Sequence, residues 1–176
     1  MEMNSGDKKI LNKSIMILLI VIAAFVIVLI IAGKNGTKMD SFTDNVGQND
    51  ISEMKKAIIK IATKHLVAAV ADSDDTRARG LSGTHFLNEQ SGMWFVFEEA
   101  DKHGFWMKDT KFALDIIWVD SSGKIVHMEE NVQPESYPKV FTPPVPAQYV
   151  LEVGAGYAER NDIKIGDTIN VTPIAP

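Results

Sequence analysis

The chain of 176 residues contains no cysteine. Disulfides, thiolate zinc sites, iron–sulfur clusters and thiol nucleophiles are all excluded by that absence. Positive charge is also scarce, with 18 Lys+Arg against 23 Asp+Glu and a net charge of -5. Without a basic face there is no means of neutralising phosphates, so nucleic acid is not an expected partner. Five of the seven prolines crowd into residues 134–146, which predicts one long irregular loop there. The four histidines, His65, His85, His103 and His127, show none of the H-x-H, H-E-x-x-H or H-x-x-x-H spacings of metal sites. His103 and His127, with Glu129, would need a sheet to bring them together around a metal. Gly154-Ala155-Gly156 lacks the third glycine of a dinucleotide loop, and no G-x-S-x-G or Walker signature occurs. No cofactor is expected.

One long apolar run is present. Residues 15–32 are eighteen consecutive apolar residues. As a helix they would extend about 27 Å, close to the ~30 Å hydrocarbon core of a bilayer. A signal-peptide core is shorter and ends in small residues, whereas Leu29-Ile30-Ile31 stands at that point. A retained signal anchor is the better reading. Lys8, Lys9 and Lys13 precede the run, while Lys34 and Lys38 follow it. The positive-inside rule therefore predicts a single-pass helix with residues 1–14 in the cytoplasm and the remainder outside. Setting aside residues 1–32 leaves 15 positive and 21 negative side chains in the exported part. Residues 33–50 are rich in Gly, Asn, Asp, Ser and Thr without an apolar period, and read as a flexible linker.

From residue 51 to the end the pattern is that of a globular domain. Ile51 to Ala71 is ambiguous: its apolar residues fall at helical spacing, slightly favouring a helix, yet it also contains two short β-branched runs. Ser73 followed by Asp74 and Asp75 predicts the capped start of a short helix that Gly80 can end. Strand-like runs follow at 93–97, 103–107 and 114–119. Asp120-Ser121-Ser122-Gly123 predicts a tight turn into 124–129, and hence a hairpin over 114–130. A strand at 148–153, a short helix at 154–161 and a strand at 168–171 complete the series. The expected architecture is a β-dominated α+β domain, a small barrel-like mixed sheet with two short helices.

Several blocks carry a resemblance. Arg79-Gly80-Leu81-Ser82-Gly83, Gly92-Met93-Trp94-Phe95-Val96-Phe97 and Phe105-Trp106-Met107-Lys108-Asp109-Thr110 occur in order. Leu114 to Asp120, Tyr149 to Val153 and Ile163-Lys164-Ile165-Gly166-Asp167 continue the series. Over about residues 57–173 the chain resembles the "domain of unknown function 192" family of small, often exported or anchored domains. The resemblance implies two strands over 57–71 in place of a helix, and it implies no activity. Two positions depart from the family pattern: Asp109 stands where Asn is usual, and Ser82 where Met is usual.

The densest group of candidate site residues is Trp106, Lys108, Asp109, Thr110 and Asp115, with Arg79 near the end of the first helix. In an extended 103–107 segment, Phe105 and Met107 share one face while Trp106 and Lys108 share the other. An exposed aromatic ring beside cationic groups suits a small polar or anionic ligand, or an envelope component. The competing reading is that Lys108-Asp109-Thr110 is a structural turn and Trp106 packs under the proline loop. Seven of the fourteen aromatics lie between Trp94 and Trp118. They form either a sugar-stacking row or core filling, and core filling is favoured in a small domain without disulfides. The leading expectation is thus an anchored extracytoplasmic binding module. The alternative is an envelope hydrolase or transferase using a carboxylate near Asp109 or Asp115, and Glu129 and Glu152 are further strand-borne acids.

Overall fold

The computed structural model describes residues 51–175. The expected cytoplasmic segment 1–14, membrane helix 15–32 and linker 33–50 lie outside the described residues. Among the described residues, no helix is long and apolar enough to cross a membrane.

Strands β1 (Lys56–Ile61) and β2 (Lys64–Ala71) form an antiparallel hairpin, as the family resemblance implies. The helical periodicity over this stretch misleads for a specific reason. Ala57, Ile59 and Ile61 alternate inward as a strand requires, but Ile58 and Val67 are cross-strand partners on the outer side, 40% and 41% exposed. Exposed Ile58 adds an apolar position that falls at helical spacing with Met54, Ile61 and Ala62 and so imitates a 3.6-residue period.

Helix α1 (Asp74–Arg79) begins where expected. Thr76 N–H donates to Ser73 Oγ at 3.3 Å and Ser73 N–H donates to Thr76 Oγ1 at 3.0 Å, a reciprocal cap. The helix carries the chain over to β3 (Ser91–Asp101), which pairs parallel to β2. Strands β4 (Leu114–Val119) and β5 (Ile125–Val132) form the predicted hairpin. Its turn is held by Asp120 Oδ1, which accepts from Ser122 N–H at 2.8 Å and Lys124 N–H at 2.9 Å. Gly123 sits in the turn at φ 86°, a left-handed conformation that suits a residue without Cβ. Strand β6 (Ala147–Gly154), helix α2 (Tyr157–Arg160) and strand β7 (Ile169–Pro173) complete the domain.

The seven strands lie in the order β5-β4-β6-β3-β2-β1-β7. The domain is β-dominated with a mixed sheet, but the sheet is not closed into a barrel. Its edge strands meet at one corner only, where Lys124 bridges Thr168 and Ile169 N–H donates to Gly123 O at 2.8 Å. At the start of β5, Ile125 N–H donates to Asp167 O and Gly166 N–H donates to Ile125 O, both at 2.8 Å, but past that corner β7 pairs with β1 along its length while β5 pairs with β4. The expected strand over 103–107 is likewise a loop, tied to the proline-rich segment by reciprocal bonds between Phe105 and Phe141 at 2.9 and 2.8 Å. Beyond Phe141, Pro143, Pro144 and Pro146 lack the N–H groups that would extend a ladder.

Both faces of the sheet's middle are covered. Along β4, Ile117 and Val119 join the inner cluster with Ile59, Leu66, Leu151 and Tyr157. Leu114, Ile116 and Trp118 join the outer cluster with Met93, Phe95, Phe105 and Val150. Every residue of β4 is consequently buried, which accounts for its unbroken apolar run apart from Asp115.

Asp115 is fully buried. Its Oδ1 accepts from Asn131 N–H at 2.9 Å and Gly156 N–H at 3.1 Å, and its Oδ2 accepts from Ala158 N–H at 2.9 Å. One carboxylate therefore joins the end of β5 to the start of α2 across the inner face. Asp115→Ala would strand three backbone donors, each costing about 1–3 kcal/mol when buried without a partner. Denaturant unfolding is expected to show a loss of at least about 3 kcal/mol. A loss below about 1 kcal/mol would contradict this role.

Candidate functional site

The outer face of the sheet is covered by α1, the segment 80–84 and the loop 102–113, and this cover is incomplete. Beneath it lies a cavity of about 290 Å³ whose lining includes Arg77, Arg79, Phe95, Trp106, Thr110 and Glu152. That volume is at the small end of ligand cavities and suits a metabolite-sized molecule.

Two backbone-directed contacts hold the roof. Ser82 Oγ donates to Lys108 O at 2.8 Å, and Gly83 N–H donates to Asp109 O at 3.0 Å. Thr110 N–H closes the 107–110 turn onto Met107 O at 3.2 Å. Asp109 occupies the left-handed region at φ 56°. Asp and Asn are the non-glycine residues that adopt it most readily, so Asp109 serves the turn as the more usual Asn would. The expected alternation also appears in this loop: Phe105 and Met107 are buried, Trp106 and Lys108 exposed.

The candidate residues separate accordingly. Arg79, Trp106 and Thr110 all line the cavity. Trp106 is 49% exposed and meets Tyr137 of the proline loop edge-to-face at 5.9 Å. Lys108 and Asp109 are exposed in the turn and do not line it. Asp115 is on the opposite face of the sheet, its carboxylate engaged by backbone. Glu129 contacts His127 Nε2 at 3.2 Å. Glu129 is separated from Glu152 by Ile116, two strand spacings or about 10 Å. Among the described residues, no group of three His, Asp or Glu side chains is placed to hold a metal ion. Of the clustered aromatics, Trp94, Phe95, Phe105 and Trp118 are buried, which fits core filling.

Two further lining residues matter most: Arg77, which the sequence did not single out, and Glu152, one of the strand-borne acids. Arg77 donates through Nη1 to Val96 O at 2.7 Å, pairs with Asp74 and lies 5.4 Å from the Phe97 ring centre. Its charge is thereby committed to the scaffold. Glu152 is only 4% exposed. It faces the outer cluster between its cross-strand partners Met93 and Ile116. Its carboxyl makes no hydrogen bond or ion pair among the described residues. Burial alone pushes that carboxyl up to about 8 from an ordinary 4.5, so it is mostly protonated at neutral pH.

The raised value has a consequence for stability. Between about pH 4.5 and 8 the unfolded chain has lost the Glu152 proton while the folded chain keeps it. Stability must therefore fall as pH rises through this window, by about 1.4 kcal/mol per unit of difference. Glu152→Gln, which resembles the neutral acid in shape, is expected to remove that component and to be the more stable protein above pH 8. Denaturant unfolding at pH 5, 7 and 9 checks this, and parallel pH profiles for the two proteins would contradict it.

Comparison with known proteins adds family context. The profile of the DUF192 family, described as "Uncharacterized ACR", matches residues 57–171. A Sinorhizobium meliloti protein described as a "putative transcription regulator" is similar in structure, with TM-score 0.62 and 28% identity over 66% of this chain and 92% of that one. A protein of unknown function from Novosphingobium aromaticivorans is also similar, with TM-score 0.60 and 27% identity over 65% of this chain and 83% of that one. No curated protein matches the chain.

Proposed function

The chain belongs to the DUF192 family, and we propose that it is a small-ligand-binding module held outside the cytoplasm by a single membrane helix over residues 15–32. The observation that carries the binding reading is the Glu152 carboxyl, buried and without a hydrogen-bonding partner, on the lining of a cavity. Buried polar groups in folded proteins are nearly always hydrogen-bonded, and a titratable group strongly perturbed by burial in a cleft is a mark of functional sites. The Arg79 side chain at the same cavity is exposed and makes no hydrogen bond or ion pair among the described residues. Trp106 supplies an aromatic wall at the mouth, a surface on which a flat or apolar part of the ligand can pack.

The eighteen apolar residues and the lysines before them support the anchor and its orientation. A weakly acidic exported domain fits a role away from the anionic lipid surface, with its ligand drawn from the envelope.

An envelope hydrolase or transferase is the second reading, and the protonated state of Glu152 is what favours it. A carboxyl still protonated near pH 7 can serve as a general acid, whereas Asp115 is already engaged by three backbone donors.

Arg79→Ala and Trp106→Ala are expected to leave the melting temperature within about 2 °C and to lower occupancy by co-purifying small molecules at least tenfold, read by native mass spectrometry. Unchanged occupancy in both variants would sink the binding reading. Turnover by the wild type that is lost in Glu152→Gln would favour the enzyme reading instead. For the topology, a reporter fused after Gly33 is expected to be active outside the cytoplasm, and cytoplasmic activity would reverse the orientation.

A further inference from the structure

We propose that the cavity takes a small zwitterion, its ammonium group set against Glu152 and its acidic group at Arg79. The inference rests on the ligand-binding reading above and narrows it to a chemical class.

Four titratable side chains line the cavity: Arg77, Arg79, His103 and Glu152. Two of them are already occupied. Arg77 is held by Val96 O, Asp74 and the Phe97 ring. His103 stacks on Phe97 with ring centres 3.5 Å apart, and its Nε2 lies 3.0 Å from Glu99 O. Arg79 and Glu152 remain, one a base and the other an acid, their side chains without hydrogen bonds or ion pairs among the described residues. One is buried and the other exposed, so the cavity is polarised with its acid inside and its base outside.

A ligand that satisfies both groups must carry the reverse polarity. At the inner end, an ammonium group restores the ionised form of Glu152 and makes a charge-assisted hydrogen bond with it, stronger than a neutral one. Phe95 and Phe105, which also line the cavity, offer an aromatic environment that favours a cation. A carboxylate at that end would bring like charges together unless Glu152 stayed protonated. At the outer end, the Arg79 guanidinium is a cation whose planar fork matches a carboxylate or a phosphate. A purely cationic ligand would leave Arg79 unpaired and repelled. Molecules on the scale of a free amino acid fit a volume of about 290 Å³.

Three probes of one chain length separate the alternatives: γ-aminobutyrate, butylamine and butyrate. They are titrated into the full-length chain, with binding followed by ligand-observed NMR. The zwitterion is expected to bind at least tenfold more tightly than butyrate. Arg79→Ala is expected to bring its affinity down to that of butylamine. Glu152→Gln, which cannot ionise, is expected to bring it down to that of butyrate. Wild-type affinity for the zwitterion is expected to rise between pH 6 and 8.5 as Glu152 gives up its proton, and the rise to be absent in Glu152→Gln. Butyrate binding as tightly as the zwitterion, or Glu152→Gln binding it unchanged, would overturn the inference while leaving a ligand site in place. Failure of all three probes to bind at millimolar concentration would overturn the inference too. The small-molecule occupancy of Arg79→Ala and Trp106→Ala then decides separately whether the cavity binds anything.

Discussion

A buried carboxyl group with no hydrogen-bond donor to compensate it among the described residues is the constraint on which the site depends. Strand β6 lies third in the sheet, between β4 and β3, with both faces of its middle covered. Any side chain there is removed from water unless the cover leaves a gap. Glu152 faces such a gap on the outer side. Its desolvation follows from the strand order and from the chain passing over it twice, in α1 with residues 80–84 and in the 102–113 loop. A polar group so placed is costly when unpaired and strongly responsive when a ligand of the right charge arrives.

The second buried acid shows what the fold does with a carboxylate it needs. Asp115 points to the other face and collects three backbone N–H groups, so its burial is compensated within the protein. The two acids thus differ in face and in partners: Asp115 is bonded within the scaffold, while the Glu152 carboxyl has no hydrogen bond among the described residues. The sheet between them also separates their chemistry, which removes a shared carboxylate pair from consideration.

Much of the architecture was legible because local signals agreed with the tertiary result. The Ser73 cap, the Asp120–Gly123 turn and the strands β4, β5 and β6 have side chains and spacings that admit few alternatives. The Ile51–Ala71 region was not readable from period alone, since exposed Ile58 fell into a helical series with Met54, Ile61 and Ala62 and disguised a hairpin. Closure of the sheet was not legible either, because it turns on whether β7 reaches β5 beyond a single bridge, a long-range matter with no local signature.

The site was legible in part. Arg79, Trp106 and Thr110 do share one cavity, since the loops that carry them are tied together at Ser82–Lys108 and Gly83–Asp109. Lys108 and Asp109 looked equally chemical and belong to the turn. Glu152 stood among the strand acids without distinction, because in Tyr149-Val150-Leu151-Glu152-Val153 an acid at an alternating position looks like a solvent-facing one. Only the loops folding across the sheet turn that face inward, and nothing within five residues of Glu152 announces them. The most direct measurement is the titration of the Glu152 side chain itself, by carbon-13 NMR of the labelled carboxyl with Glu152→Gln to assign the signal. A midpoint near 8 is the result expected of a carboxyl buried without a partner. A midpoint near the ordinary 4.5 would mean that water or a protein donor reaches the group, and the account of the site would fail.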